Sequence, residues 1–202
     1  FHEFWIGEHH SLLREAIPLP EAFIARALPE TKNIRMGAAP VCLNQHNPAS
    51  VATRLGFLDH LSKGRLILGL GVSGPQVVEG WYGRPFSKPL ARTREYISII
   101  RQVMAREGPV MNSGPHYPIP YPADAPGSWG LGKALKPITH PLRSNVPIFL
   151  GAEGPKNVAL AAEVCDGWYP LFYSPFREEV YRNSIAGRPE GFEILCPVHI
   201  HV

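Results

Sequence analysis

The chain has 202 residues, of which 45% are hydrophobic and 18% are charged, and its formal net charge at pH 7 is +3. This composition is typical of one globular domain, and so mild a charge does not indicate a nucleic-acid partner. No apolar run reaches the roughly 18 residues that a membrane-spanning helix needs, and no signal peptide is visible. We therefore expect a cytoplasmic protein that binds neither nucleic acid nor membrane.

Alternating apolar patterns divide the chain into strands and helices. Six segments are predicted as strands, at residues 4–7, 34–43, 65–70, 146–151, 167–172 and 192–202. Five segments are predicted as helices, at residues 20–28, 48–62, 91–105, 157–164 and 175–183. Between the third helix and the fourth strand, residues 108–146 are rich in proline and glycine and read as a long insertion.

Strands that alternate with helices indicate an α/β fold, in which a parallel sheet is covered by helices. A closed parallel (β/α)8 TIM-barrel usually needs about 250 residues. We therefore expect residues 1–202 to form one incomplete barrel domain with about six of the eight strands. Such a barrel places its chemistry at the C-terminal ends of its strands.

The ends of the chain and its cysteines add two expectations. The chain begins at Phe1 and stops inside the apolar run 192–202, so we expect a part of a longer protein. Cys42, Cys165 and Cys196 lie far apart and form no C-x-x-C pair. This spacing disfavours a zinc site or a disulfide framework, so no metal is expected, and it is typical of a reducing compartment.

Two glycine-rich turns carry most of the functional information. Residues 64–75 (GRLILGLGVSGP) and residues 147–157 (PIFLGAEGPKN) each follow an apolar run and lead into a helical pattern. Glycine lets backbone N–H groups approach an anion, and a helix N-terminus adds partial positive charge. Neither turn is a complete dinucleotide-binding or P-loop motif. The pattern indicates a phosphorylated cofactor at the strand ends, and two merely tight turns remain the alternative.

Longer strings resemble the luciferase-like family of flavin- and deazaflavin-dependent oxidoreductases, which fold as such barrels. The strings GLGVSGPQVVEGWYG (69–83) and PIFLGAEGPKNVALAAEVCDGWYP (147–170) resemble the branch that uses the deazaflavin coenzyme F420, whereas FWIGEHH (4–10) resembles the FMN branch. The resemblance implies an oxidoreductase that uses reduced F420, which is favoured, or FMN. It would transfer hydride to, or oxygenate, a small organic substrate. The alternative is a non-catalytic flavin-binding protein with a shortened barrel.

The Glu8-His9-His10 segment matches the strand-end motif of this family. The resemblance implies that His9 lies beside the flavin ring and acts in proton transfer, for which an ordinary histidine pKa near 6.5 is suited. The alternative is that His9 and His10 only form hydrogen bonds at the strand end.

The resemblance also implies a set of cofactor contacts. It places a cis peptide bond under the ring, here between Ala39 and Pro40. It puts Val72 where the luciferase branch has an arginine, which favours F420 over FMN. The residues expected to contact the cofactor are Ala39, Pro40, Ser73, Gly74, Gly151, Ala152, Glu153, Gly154 and Lys156.

The barrel mouth supplies the candidate substrate contacts His46, Trp81 and Tyr82, although the two aromatic residues are equally consistent with packing under a loop. Asn47 before Pro48 is read as a helix cap. Arg92 and Arg94 near a helix start are consistent with a cofactor contact or with surface pairing. The family's lid corresponds to residues 117–129, and open barrel edges favour a homodimer.

Overall fold

The structure, a computed structural model, describes residues 2–10, 19–196 and 198. Its six strands are all parallel and pair in chain order, so the sheet forms a curled half-barrel that confirms the predicted TIM-barrel type. The strands are β1 (Glu3–Ile6), β2 (Arg35–Cys42), β3 (Leu66–Gly71), β4 (Ile148–Gly151), β5 (Gly167–Tyr169) and β6 (Glu193–Ile194).

Helices follow the strands and cover the outer face of the sheet. They are α1 (Pro20–Ala27), α2 (Pro48–Ser62), α3 (Pro75–Gly80), α4 (Pro89–Ala105) and α5 (Pro155–Val164), with 3-10 turns at Leu28–Glu30 and Pro175–Val180. Each of the five α-helices has proline in its first turn, where the missing N–H is not needed. None of the helices in the described ranges is both long and apolar enough to cross a membrane.

Most predicted elements are confirmed, and the differences have local causes. The strand expected at residues 167–172 ends at Tyr169, because Pro170 has no N–H for the ladder. The helix expected at residues 175–183 is a 3-10 turn over Pro175–Val180 in which no residue is buried, so packing does not stabilise it. The expected strand 192–202 is reduced to Glu193–Ile194, and residues 197 and 199–202 lie outside the described residues.

Alternate strand residues face the helices and form the main core. On β1, Phe4 faces outward and is 40% exposed, so the outer face of this strand is only partly covered by helices. The next strands carry aliphatic residues that are buried against the helices. This outer core includes Met36, Leu66, Leu68, Leu70, Ile148, Leu150 and Trp168 from the strands, and Ile24, Leu55, Ile100 and Val158 from the helices.

The inner face of the sheet carries aromatic rings opposite glycines. Trp5 of β1 lies 5.5 Å from Phe149 of β4 and 5.7 Å from Tyr169 of β5, measured between ring centroids. A Cβ at Gly37 would overlap the Trp5 indole, and one at Gly167 would lie 2.6 Å from Phe149 Cε2. Because a first-strand ring contacts rings on the fourth and fifth strands, this packing holds the sheet in its curl.

An ionic cluster lies below these rings, at the N-terminal ends of the strands. Arg35 of β2 donates to Glu193 of β6 over 3.0 and 2.6 Å, and it also pairs with Glu3 of β1. Glu3 accepts a hydrogen bond from the Trp5 indole N–H over 2.7 Å. The cluster therefore joins the two ends of the described sheet across its inner side.

The insertion at residues 108–146 contains no helix or strand and is fastened to the barrel at both ends. Near its start, Glu95 Oε2 accepts the backbone N–H groups of His116 and Tyr117 over 3.1 and 3.0 Å. Near its end, Arg143 pairs with the buried Asp59 of α2 over 3.0 and 2.5 Å. The segment thus has fixed ends on either side of an exposed middle.

The fit of the inner rings predicts the effect of one methyl group. Gly37→Ala places a Cβ inside the Trp5 ring. Overpacking costs about 1–3 kcal/mol, against a benefit of up to about 1 kcal/mol from replacing a glycine. We expect the free energy of unfolding, measured by urea denaturation, to fall by about 1–2 kcal/mol.

Gly56→Ala is the matched control, because the added Cβ in the middle of α2 meets no atom within 4 Å. It should leave the stability unchanged or raise it by up to about 1 kcal/mol. Equal stability of the two variants would contradict the described inner packing.

Candidate functional site

A flat apolar surface forms the upper inner face of the half-barrel, at the C-terminal ends of the strands. Gly7, Gly71 and Gly151 occupy the inward positions above the aromatic rings, and the Pro40 ring lies next to Gly71 and Gly151. A Cβ at Gly71 would lie 2.7 Å from Pro40 Cβ, and one at Gly151 would lie 3.9 Å from the same atom. We call Gly7, Pro40, Gly71 and Gly151 the glycine–proline floor.

The shape of this floor depends on an irregularity in β2. The pairing of β2 with β3 shifts in register between Ala38 and Val41, and the Ala39–Pro40 peptide bond is cis, as the resemblance implied. Proline has no N–H to give to the ladder, so a bulge is the position at which a central strand accepts it. The bulge brings the Pro40 ring over the glycines of β3 and β4.

His9 lies at the edge of the floor. A Cβ at Gly7 would lie 3.2 Å from His9 Cδ2 and 3.3 Å from the Ala39 carbonyl oxygen, so the imidazole packs against the glycine beside the bulge. No hydrogen bond joins the His9 ring to another residue in the described part of the chain. The strand-end hydrogen bonds that were the alternative for both histidines are made by His10.

Glu8 is the centre of a buried hydrogen-bond network. Its side chain is fully buried, and its Oε2 accepts the Cys42 backbone N–H over 2.7 Å. Its Oε1 lies 2.8 Å from His46 Nε2 and 3.3 Å from His10 Nε2. The Tyr82 hydroxyl in turn lies 2.5 Å from His10 Nδ1, within hydrogen-bond distance. We call Tyr82, His10, Glu8 and His46 the carboxylate–histidine network.

The electrostatics of this network keep Glu8 ionised. Burial by itself would raise the pKa of Glu8, but the hydrogen bonds from His46 and Cys42 and the charges of His46 and His10 outweigh it, so the pKa lies below its ordinary value. Burial and the neighbouring Glu8 charge raise the pKa of Cys42 to about 12. Cys42 is therefore a neutral thiol at physiological pH.

Glu8 belongs to the strand-end motif that contains His9, but no role was predicted for it. A carboxylate directly after an apolar strand was the available signal, because a buried charge must find partners. Those partners are 34 and 38 residues away, at Cys42 and His46. Only the parallel register of β1 and β2 brings them together.

The two glycine-rich turns lie at the ends of β3 and β4. Ser73 has a positive φ of 58°, and Gly74 begins α3. Gly154 begins α5 without a side-chain cap. A cavity of about 360 Å³ lies between the turns, lined by Val72, Pro89, Leu90, Gly154, Pro155, Lys156 and Asn157.

Two other expected contacts are engaged within the scaffold. The Ala152 carbonyl accepts the Trp168 indole N–H over 2.7 Å, and Ala152 itself is buried. Glu153 Oε1 accepts the Leu171 backbone N–H over 2.5 Å. Both residues therefore shape the strand end rather than present a free side chain.

A second cavity, of about 390 Å³, opens beside the carboxylate–histidine network. Its polar lining includes His46, Arg84, Arg92 and His116. Trp81 is 64% exposed and lines neither cavity, so the structure does not bring it to the site as it brings Tyr82 to His10. Its exposure also shows that it is not packed under a loop, which was the alternative. The lining as a whole is Leu43, Asn44, Gln45, His46, Asn47, Arg84, Pro85, Arg92, His116 and Tyr117.

Two neighbouring residues have structural explanations. Asn47 caps α2 as predicted, because its Oδ1 accepts the N–H groups of Ala49 and Ser50 over 3.0 and 3.3 Å. Arg94 forms an exposed pair with Glu163 over 2.5 and 2.7 Å, which is the surface pairing given as its alternative.

Comparison with known proteins gives a consistent result. The family model described as luciferase-like monooxygenase matches residues 1–202. A protein of Mycobacterium tuberculosis named "Putative coenzyme F420-dependent oxidoreductase" is 61% identical over 162 residues, which are 80% of this chain and 45% of that protein. A 5,10-methylenetetrahydromethanopterin reductase of Archaeoglobus fulgidus is 33% identical over 156 residues, 77% of this chain and 42% of that protein.

Solved structures share the fold. The coenzyme F420-dependent tetrahydromethanopterin reductase of Methanopyrus kandleri aligns with a TM-score of 0.75 at 23% identity, over 96% of this chain and 56% of that one. The oxygenating constituent of 3,6-diketocamphane monooxygenase from Pseudomonas putida, in complex with FMN, gives 0.72 at 23% identity, over 95% and 56%. The chain spans about half the length of these relatives.

The carboxylate–histidine network predicts a pH-dependent stability. The folded-state pKa of Glu8 lies below its ordinary value. The Glu8 carboxylate therefore contributes its full amount to the free energy of unfolding above the ordinary carboxyl pKa of about 4.3, and this contribution is lost as the pH falls through the folded-state pKa. Glu8→Gln removes the charge but keeps the shape. We expect it to lower the free energy of unfolding at pH 7 by about 1.5–3 kcal/mol, the value of a charged hydrogen bond.

Urea denaturation at pH 5 and at pH 3 measures this effect, because this interval crosses the ordinary carboxyl pKa of about 4.3 and extends toward the lowered folded-state value. The native chain should lose more stability between the two pH values than Glu8→Gln does, because only the native chain has this carboxylate to protonate. An equal loss in both proteins would show that Glu8 is not held as a charged group.

Proposed function

The chain belongs to the luciferase-like monooxygenase family, and we propose its function from that membership. We propose that the chain forms the ring-binding and proton-transferring part of an oxidoreductase that acts on a small organic substrate. Its cofactor is reduced F420, with FMN as the second candidate. The observation that carries the proposal is the glycine–proline floor with His9 at its edge.

The floor fits a planar ring system. Three inward positions lack a Cβ, and the apolar ring of Pro40 lies next to two of them, Gly71 and Gly151. A Cβ at any of Gly7, Gly71 or Gly151 would occupy the surface on which a ring rests. Pro40 and the three glycines would therefore hold the ring by apolar contact, with Ala39 beside it at the bulge.

The two glycine-rich turns would hold the phosphate of the cofactor. Ser73 and Gly74 lie between β3 and α3 and would supply backbone N–H groups, and Gly154 is the N-cap of α5, a ten-residue helix. Lys156 adds a positive charge to the cavity between them. Backbone N–H groups, a helix N-terminus and a lysine are the donors that bind phosphate in proteins.

The choice of F420 rests on two observations. Val72 lines this cavity at the position where the resemblance to the luciferase branch would require an arginine. The M. tuberculosis relative, at 61% identity, carries F420 in its name. When bound, reduced F420 supplies a hydride donor, and reduced FMN can in addition activate oxygen.

The residues around the floor supply the proton chemistry. His9 would donate or accept a proton beside the ring, because its imidazole has no partner among the described residues and lies at the floor's edge. His46 is oriented by the buried Glu8 carboxylate, whose Oε1 lies 2.8 Å from His46 Nε2. A base oriented by a buried carboxylate is a recurrent catalytic arrangement. These groups support an enzyme over a non-catalytic flavin-binding protein.

Gly151→Ala tests the floor as the ring-binding surface. The added Cβ would lie 3.4 Å from the Leu70 carbonyl oxygen and 3.9 Å from Pro40 Cβ, which the fold tolerates. It would nevertheless stand on the surface that the ring covers. We expect the Kd values of F420, FMN and riboflavin, measured by fluorescence titration, to rise at least tenfold while the midpoint of unfolding stays unchanged.

Gly56→Ala serves again as the control and should leave all three Kd values unchanged, since Gly56 lies in the middle of α2. Unchanged binding in Gly151→Ala would reject the floor as the ring site. Failure of the unaltered chain to bind any of the three compounds would reject the proposed function itself.

Lys156→Gln separates phosphate binding from ring binding. Losing one charged contact to phosphate should raise the Kd of FMN about tenfold, or about 1.4 kcal/mol. The Kd of riboflavin, which has the same ring and no phosphate, should not change. If both compounds lost affinity equally, or neither did, Lys156 would not be a phosphate ligand.

A further inference from the structure

The 390 Å³ cavity beside the carboxylate–histidine network has an unusual charge balance. Two arginines, Arg84 and Arg92, and two histidines, His46 and His116, line it. None of its described lining residues is an aspartate or a glutamate. Concave surfaces of one charge sign focus the potential and concentrate ligands of the opposite sign.

Both arginines lack an acidic partner in the described part of the chain. Arg92 Nε donates to the Ser87 carbonyl over 2.9 Å, which leaves its two Nη groups for other contacts. Several other arginines pair with a carboxylate, as Arg101 does with Asp166 over 2.6 Å. Arg84 and Arg92 have no such pair among the described residues, and both line the same cavity.

The nearest carboxylates are already engaged behind the cavity wall. Glu8 accepts from His46 and from the Cys42 N–H. Glu95 accepts the backbone N–H groups of His116 and Tyr117. Neither carboxylate therefore forms an ion pair with Arg84 or Arg92.

Tyr117 shows that both guanidinium groups reach the same region. Burial raises the pKa of the Tyr117 hydroxyl, and a hydrogen bond from Arg92 and the charges of Arg92 and Arg84 oppose this shift. Tyr117 belongs to the insertion, which covers this side of the cavity. The cavity with its positive groups is thus lined by the loop after β2, the segment between α3 and α4, the first turn of α4 and the insertion.

We propose that this cavity binds an anionic group of the substrate, a carboxylate or a phosphate, between Arg84 and Arg92. The guanidinium fork matches both anions and holds them in a fixed orientation. His46 lines the same cavity, so an anion bound there brings the substrate beside the Glu8-oriented imidazole. This inference rests on the proposed function and adds to it the class of substrate.

Titration of the full chain with inorganic phosphate, and separately with succinate, tests the cavity without any cofactor. Backbone amide NMR signals of residues 43–47, 84, 92, 116 and 117 should shift saturably. The double variant Arg84→Gln/Arg92→Gln should raise the apparent Kd at least tenfold. Arg182→Gln, a change at an exposed arginine outside the cavity, should leave it unchanged.

Absence of saturable shifts, or equal affinity in the native chain and the double variant, would overturn the proposal. Unfolding curves of the double variant, and the single variant Arg92→Lys, guard against a misfolded protein. Arg92→Lys keeps the charge but loses the fork, so its affinity should lie between those of the native chain and the double variant.

A second arm separates the substrate from the anionic groups of the cofactor. The Kd values of F420 and FMN should be unchanged in the double variant. A tenfold rise in either would assign the arginines to the cofactor and overturn the substrate assignment. Failure of the native chain to bind either cofactor would reject the proposed function, whereas the phosphate titration reads the cavity independently of it.

Discussion

The packing of the Trp5 indole against glycine backbone is the constraint on which the rest of the half-barrel depends. Gly37 has no side chain where the ring lies, and Phe149 and Tyr169 approach the ring from the other side of the curl. Side chains on the inner face therefore fill the lower half of the barrel, as close packing of an interior requires. One layer higher the inward positions of β1, β3 and β4 are glycines again, and there the Pro40 ring lies next to Gly71 of β3 and Gly151 of β4. The same alternation of large and absent side chains thus makes a packed layer below and a flat surface above.

Glu8 links this surface to the cavity beside it. A fully buried carboxylate is costly unless each oxygen is satisfied, and here both are, by the Cys42 N–H on one side and by two histidines on the other. The hydrogen bonds fix the end of β1 to the end of β2 and orient His46 at the cavity. His9, the residue between Glu8 and His10, is left to face the floor. One three-residue segment therefore serves the floor, the network and the cavity at once.

Local sequence signals predicted much of the fold. Apolar runs located the strands, Asn47 before Pro48 located the start of α2, and the family resemblance located the cis bond before Pro40. A helical pattern was expected after the first glycine-rich turn, but α3 was not predicted as an element with bounds, because six residues with one buried side chain give too weak a pattern. The polar segment at residues 175–180 was wrongly predicted as a helix, since its composition allows one but no packing supports it.

The site was harder to predict because its contacts join distant residues. These contacts depend on strand register or on the path of the insertion, which no local pattern encodes. They are the packing of Trp5 against glycine, the hydrogen bonds of Glu8, and the placement of Arg84 and Arg92 in one cavity.

If the glycine–proline floor carries the ring of the cofactor, a crystal structure of the chain soaked with oxidised F420 will show it. We expect the ring in van der Waals contact with Pro40, over Gly71 and Gly151, with His9 at its edge. A ring bound anywhere else on the chain, with the floor uncovered, would rule out the floor as the ring site.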